Sequence, residues 1–208
     1  RFYTSDDAGD SWSSDTLPTS PYRGYEQLAI GTGDRKNLML ASGLYCLAMS
    51  DDFGVTWDNV SQVGSPPTSI SDERASVTYS HVNEKFYLLI FNDNDRHLYN
   101  LSTTFNTSTN QWEYGNWTKE IGITFPCASA FCLSKSTIRE PLVANQYGLF
   151  IGGVSYLNKY NLNNLNANPS IKDFGHVDFR GLAAIDANTC YVANDGGVTE
   201  VNFNTSEF

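Results

Sequence analysis

Ser5-Asp6-Asp7-Ala8-Gly9-Asp10-Ser11-Trp12 returns 45 residues later as Ser50-Asp51-Asp52-Phe53-Gly54-Val55-Thr56-Trp57. Both octapeptides obey S-x-D-x-G-x-[ST]-W, and self-similarity at such a period marks an array of repeated supersecondary units. The residue types have a physical sense. The carboxylates of Asp7 and Asp52 can accept backbone N–H bonds within a tight turn, and Gly9 and Gly54 can take φ > 0 without steric cost. Trp12 and Trp57 can fold back as apolar lids. The octapeptides therefore read as hairpin turns built for structure, with Ser5 and Ser50 opening them.

Working outward, the residues before the second copy read as short strands, 27–30, 38–41 and 44–49, separated by Gly- and Asp-rich turns, with 57–60 as a fourth. This makes one four-stranded unit over 24–62. A second covers 74–116, its third turn Phe105 to Trp112 keeping the Trp but lacking the Ser, Asp and Gly. A third covers 140–175, with the Asn-rich stretch 163–168 where the octapeptide would stand. Partial units are expected over 1–18 and 180–208, and a long connection over 117–138. The expectation is an all-β chain, a β-propeller of four-stranded antiparallel blades with these turns between third and fourth strands. It is also expected to be an excerpt of a larger propeller.

The two octapeptides resemble the Asp box shared by sialidases, sortilin-type receptors, xyloglucan-hydrolysing propellers and photosystem II assembly-factor propellers. Phe179-Arg180-Gly181-Leu182 is similar to the blade-start pattern of the last group. The resemblance implies that ligand sites lie on the face opposite the boxes, formed by second-to-third turns and inter-blade connections.

The whole chain agrees with a folded protein. Of 208 residues 40% are hydrophobic, 13% aromatic and only 17% charged, against the low-hydropathy, charge-rich composition of disorder. A formal charge of -10 excludes nucleic acid as the expected partner, since duplex affinity comes from Lys and Arg neutralising phosphates. It also disfavours anionic membrane surfaces, and no apolar run is long enough to cross a bilayer. The N-terminal residues show no leader pattern.

Asn59, Asn100, Asn106, Asn116 and Asn204 each open an N-x-[ST] acceptor for glycosylation, pointing to a secreted or cell-surface glycoprotein. The four cysteines suit an oxidising compartment. Cys127 and Cys132 are close enough to staple their own loop, leaving Cys46 and Cys190 as the other pair; four cysteines allow three connectivities, and free buried thiols remain the alternative.

Four of the seven arginines, Arg23, Arg74, Arg139 and Arg180, stand just before a first strand. If first strands line a central channel, these guanidiniums ring its mouth and could hold a carboxylate, sulfate or phosphate; the alternative is pairing with a neighbouring carboxylate. Asp95 and Asp195, in second-to-third turns, are further ligand-binding candidates. Asn92 to His97 lacks the Gly and terminal Glu of a calcium loop, and no spacing suggests a metal or another cofactor. No pair of carboxylates is singled out for catalysis.

The reading is a binding or interaction module taking a glycan or an extracellular protein, alone or within a larger assembly. A glycoside hydrolase of sialidase or xyloglucanase type and a purely architectural module are the alternatives. Because the boxes read as structural, Asp7→Ala and Asp52→Ala should lower the melting temperature without specifically removing ligand binding. Loss of binding at an unchanged melting temperature would refute that reading.

Overall fold

The computed structural model describes residues 2–5, 7–15, 25–43, 46–59, 74–91, 96–120, 141–153, 156–174 and 179–205. Among them the chain is all-β, with a single 3-10 turn at Gly33–Arg35. Strands β1 (Phe2–Thr4) and β2 (Ser13–Asp15) form a ribbon closed by the first octapeptide. The next blade is β3 (Tyr25–Ile30), β4 (Met39–Gly43), β5 (Cys46–Ser50) and β6 (Asp58–Asn59), antiparallel in that order. The second octapeptide lies between β5 and β6, at the third-to-fourth turn.

The following blade runs β7 (Arg74–Ser80), β8 (Lys85–Phe91), β9 (Arg96–Asn106) and β10 (Gln111–Tyr114), with β11 (Thr118–Lys119) also paired to β9. Then come β12 (Leu142–Asn145), β13 (Gly148–Gly152), β14 (Tyr156–Tyr160) and β15 (Ser170–Asp173). The last sheet is β16 (Gly181–Ala184), β17 (Thr189–Asn194) and β18 (Gly197–Asn202).

Strand β8, Lys-Phe-Tyr-Leu-Leu-Ile-Phe, shows why these sheets stack. Its central residues are 0–1% exposed, yet successive side chains point to opposite faces. Phe86, Leu88 and Ile90 pack with Leu40, Leu47 and Met49 of the preceding blade. Tyr87 and Leu89 pack with Leu142, Leu149 and Ile151 of the following one. A strand buried on both faces reads as a continuous apolar run, and each fully buried side chain contributes about 1.5–3 kcal/mol. The next blade repeats the arrangement: Leu157 joins Phe179, Cys190, Val192 and Val201, and Phe150 meets Phe203 with ring centroids 6.1 Å apart.

The first strands of consecutive sheets lie side by side, β3 on β7, β7 on β12 and β12 on β16, which is the radial order of a propeller. Polar side chains tie each to the next. Val77 N–H donates to Gln27 Oε1 at 3.1 Å while Gln27 Nε2 donates to Ser76 Oγ at 3.2 Å. Ser42 Oγ donates to the Ala75 carbonyl at 2.9 Å, Ala144 N–H to Thr78 Oγ1 at 3.1 Å and Asn145 Nδ2 to the Ala184 carbonyl at 3.2 Å.

Three sequence expectations need correction. The connection after Trp117 begins as structure: β11 returns to β9 and buries Trp117 in the core between blades. Asn100 is 6% exposed, and its Nδ2 donates to Glu120 Oε1 at 2.6 Å, so it is no surface acceptor for glycosylation in the folded chain. Cys190 is a free thiol, fully buried among Leu157, Phe179, Val192 and Val201; it does not pair with Cys46, which lies on β5 of another sheet. Cys127 and Cys132 fall outside the described residues. Asn106, Asn116 and Asn204 stand at or near the surface, and Asn59 ends β6.

Removing the first stitch should weaken the whole stack. Gln27→Ala leaves the Val77 N–H unpaired in a residue only 4% exposed; an orphaned buried donor costs about 1–3 kcal/mol. Urea denaturation should show that loss, and an unchanged midpoint would mean the stitch contributes nothing.

Candidate ligand-binding site

The two octapeptide turns are built alike. Ser5 Oγ donates to Asp7 Oδ1 at 2.8 Å and accepts Gly9 N–H at 2.7 Å, while Ser11 donates its N–H to Oδ1 at 2.9 Å and its hydroxyl to Oδ2 at 2.6 Å. In the second copy Ser50 Oγ donates to Asp52 Oδ1 at 2.8 Å and accepts Gly54 N–H at 2.8 Å. Thr56 bonds the carboxylate through N–H at 2.8 Å and through its hydroxyl at 2.5 Å. Trp12 and Trp57 each donate Nε1–H to the glycine carbonyl, at 3.0 and 2.8 Å.

Gly9 and Gly54 take φ of 99° and 84°, as the motif requires; Ala8 and Phe53 before them are also left-handed, at 60° and 64°. One expectation divides. Trp57 packs on Ala41 and Ala48, but Trp12 is 64% exposed, because no second sheet lies against the β1–β2 ribbon among the described residues.

These bonds set the acidity of the carboxyls. The Ser11 hydroxyl, the Ser11 N–H and the Ser5 hydroxyl hold Asp7 down at about 2. At Asp52 partial burial pushes upward, but the hydroxyl and N–H of Thr56 and the hydroxyl of Ser50 outweigh it and the net shift is downward. Carboxylates held ionised by their own turn have little capacity left as proton donors.

Where the octapeptide is degraded, other residues take over. In the β9–β10 turn Asn106 Oδ1 accepts the N–H groups of Ser108 and Thr109 at 2.9 and 3.2 Å, and Trp112 packs edge-on against Phe105. Arg35, from the 3-10 turn of the preceding blade, lies 5.6 Å above the Trp112 ring. It bonds Thr103 Oγ1 at 3.3 Å and pairs with Glu84 at 2.8 Å. Sequence reading gave Arg35 no role; its turn carries no signal beyond one arginine, and its partners come from another blade.

On the opposite face, Arg180 and Asp195 come together. Nη2 and Nε of Arg180 both lie 3.1 Å from Asp195 Oδ1, with the side chains 47% and 62% exposed. Arg180 precedes β16 and Asp195 sits in the β17–β18 turn, so the arginine pairs within its own sheet rather than with an adjoining blade. Arg74 opens β7 opposite Phe91. Arg23, Arg139 and Asp95 lie outside the described residues.

A concave feature lies on the octapeptide face, between the β7–β8 turn and the β14–β15 turn. It is a cleft of about 240 Å³ whose lining includes Asn83, Lys85, Tyr87, Glu120, Asn163 and Asn166. Sequence reading passed over it because its walls belong to different blades. The Asn-rich stretch was visible only as a turn.

No protein-family model matches the sequence, and no curated protein matches it. Among solved structures it is similar to the extracellular domain of BT4673 from B. thetaiotaomicron, described as a hybrid two-component system. The TM-score is 0.55 with 15% identity over 92% of this chain and 22% of that one. A second structure of that extracellular domain, described as a one-component system, gives 0.53 with 16% identity over 90% and 23%. YCF48 from Cyanidioschyzon merolae aligns over 96% of this chain and 62% of its own, with 14% identity and a TM-score of 0.48. The chain thus spans less than a quarter of the two extracellular domains. At such identities the likeness is one of fold.

The turn carboxyls predict an acid dependence. Folded values below the ordinary 3.8 mean that Asp7 and Asp52 add stability above that pH and lose it as pH falls through their folded values, about 2 for Asp7. Melting temperature should therefore drop between pH about 4 and about 2. The drop should be shallower in Asp7→Asn with Asp52→Asn; a slope identical to the parent's would show that other groups control it.

Proposed function

We propose that this chain is a propeller module of an extracellular glycoprotein that binds a glycan or a protein partner on the face opposite the octapeptide turns. The observation that carries this reading is the Arg180–Asp195 pair. It presents a planar cation and a carboxylate at the solvent-exposed end of a rigid sheet, where an anionic group can exchange for the internal partner. An exposed pair of this kind contributes at most about 1 kcal/mol to folding, so it can be given up to a ligand at small cost.

Arg23, Arg74 and Arg139 stand at the corresponding blade starts in the sequence and would extend the same rim. That the similar structures from B. thetaiotaomicron are extracellular domains supports the location. The acceptor sequences at Asn59, Asn106, Asn116 and Asn204 agree with it, as would a bridge between Cys127 and Cys132. Asp7 and Asp52 are occupied within their own turns, which supports a structural role for the octapeptides and leaves the opposite face as the one for a ligand.

The test is a glycan array probed with the secreted protein, beside a variant carrying Arg23→Ala, Arg74→Ala, Arg139→Ala and Arg180→Ala and a single Arg180→Ala variant. Binding to sialylated or sulfated glycans that is lost in the folded variants is the expected result. Anionic-glycan binding that is unchanged in the fourfold variant would reject the arginine rim. No glycan binding by the parent would move the reading to a protein partner, to be sought by crosslinking through Arg180 neighbours.

A further inference from the structure

We propose that the cleft between the second and third four-stranded blades is a separate site for an uncharged saccharide unit. Its walls come from two turns on the octapeptide face. One is the Asn-rich turn, and its backbone is held by local bonds: Asn161 Oδ1 accepts Asn163 N–H at 2.9 Å, the Asn161 carbonyl accepts Asn164 N–H at 3.0 Å and the Asn164 carbonyl accepts Ala167 N–H at 3.1 Å. Leu165 anchors the turn in the core. The side-chain amides of Asn163, Asn164 and Asn166 make no hydrogen bond among the described residues, so they are not what keeps the turn folded. They line the cleft.

Across from them, Asn83 Nδ2 donates to the Tyr87 hydroxyl at 2.6 Å, and Asn83 Oδ1 is buried with no partner among the described residues. A buried amide end without a partner is costly and calls for one. If the amide were turned over, its nitrogen would hold that position instead, so either orientation leaves one polar end to be satisfied. Glu120 has one oxygen on Asn100, and Lys85 has no carboxylate partner among the described residues.

This inventory selects a chemistry. Amides offer donors and acceptors together, the Lys85 ammonium only donors, the Glu120 carboxylate acceptors; a ligand matched to all of them carries groups that both donate and accept, as hydroxyls do. With one ammonium and one carboxylate the lining carries no net charge to favour a charged ligand of either sign. An apolar ligand would have to desolvate the amides without replacing their bonds. A cleft of about 240 Å³ has room for a single sugar ring. Tyr87 is 1% exposed and presents no open ring for stacking, so the site relies on hydrogen bonds, and an isolated sugar should bind with Kd on the order of 1 mM. The site faces away from the Arg180 rim, and the two proposals fail separately.

The experiment is ligand-observed NMR titration of protein produced without N-linked glycans, so that any saccharide detected is external. The probes are the methyl glycosides of glucose, galactose and mannose, with sialic acid and a sulfated hexose as charged comparisons. Asn166→Trp fills the cleft from an exposed position, Asn83→Ala removes the buried amide, and Arg180→Ala alters only the other face; a thermal melt accompanies each. Binding of a neutral glycoside that falls at least tenfold in Asn166→Trp and persists in Arg180→Ala is expected, and the same loss in a folded Asn83→Ala strengthens it. The proposal is overturned if no neutral glycoside binds, if a charged sugar binds better, or if binding survives Asn166→Trp.

Discussion

A first strand of this protein has two sets of neighbours to satisfy: the second strand of its own sheet and the first strand of the next. The backbone can serve only the former. The latter is served by side chains, Gln27 reaching into β7, Thr78 into β12 and Asn145 into β16, with Ser42 adding a bond from a second strand. These contacts set the spacing and angle between sheets. Everything farther from the axis, including the faces on which a ligand could dock, inherits its position from them.

Behind the polar stitches lies alternating burial. Because β8 is apolar on both faces, it belongs to two cores at once, and shifting it by one residue would send Phe86 and Tyr87 to the wrong cores. Core packing also explains why Cys190 is unavailable for pairing. It fills space among Leu157, Phe179 and Val201, where burial pushes its thiol up to about 11 and a disulfide partner would have to displace packed side chains.

The octapeptide turns solve a different problem at the outer end of two of the sheets. Their serine, aspartate and tryptophan satisfy the polar groups of a turn containing two left-handed residues. Where the motif is absent, Asn106 or Asn161 performs part of the work with a single side chain, and the surrounding surface becomes available for other uses. Arg35 occupies it in one blade and the polar cleft in the next.

The sequence by itself determined what is local. Repeat spacing and turn residues placed the four strands of the first complete unit within about two residues, and the residue types of the octapeptides foretold the backbone N–H bonds to Asp7 and Asp52, since donor and acceptor lie within four positions of one another. The left-handed Ala8 and Phe53 were not foretold, because nothing in those side chains demands φ > 0. Tertiary structure alone decided what is shared between blades. Asn100 looked like a surface acceptor until β11 returned to cover it, and Arg180 met Asp195 only through the pairing of β16 with β17. Asn83 and Asn166 became walls of one cleft because two turns far apart in the chain end on the same face. Hydrophobic periodicity specifies which side of a strand is buried, but not which strand it will be buried against; that is settled by the packing of whole sheets.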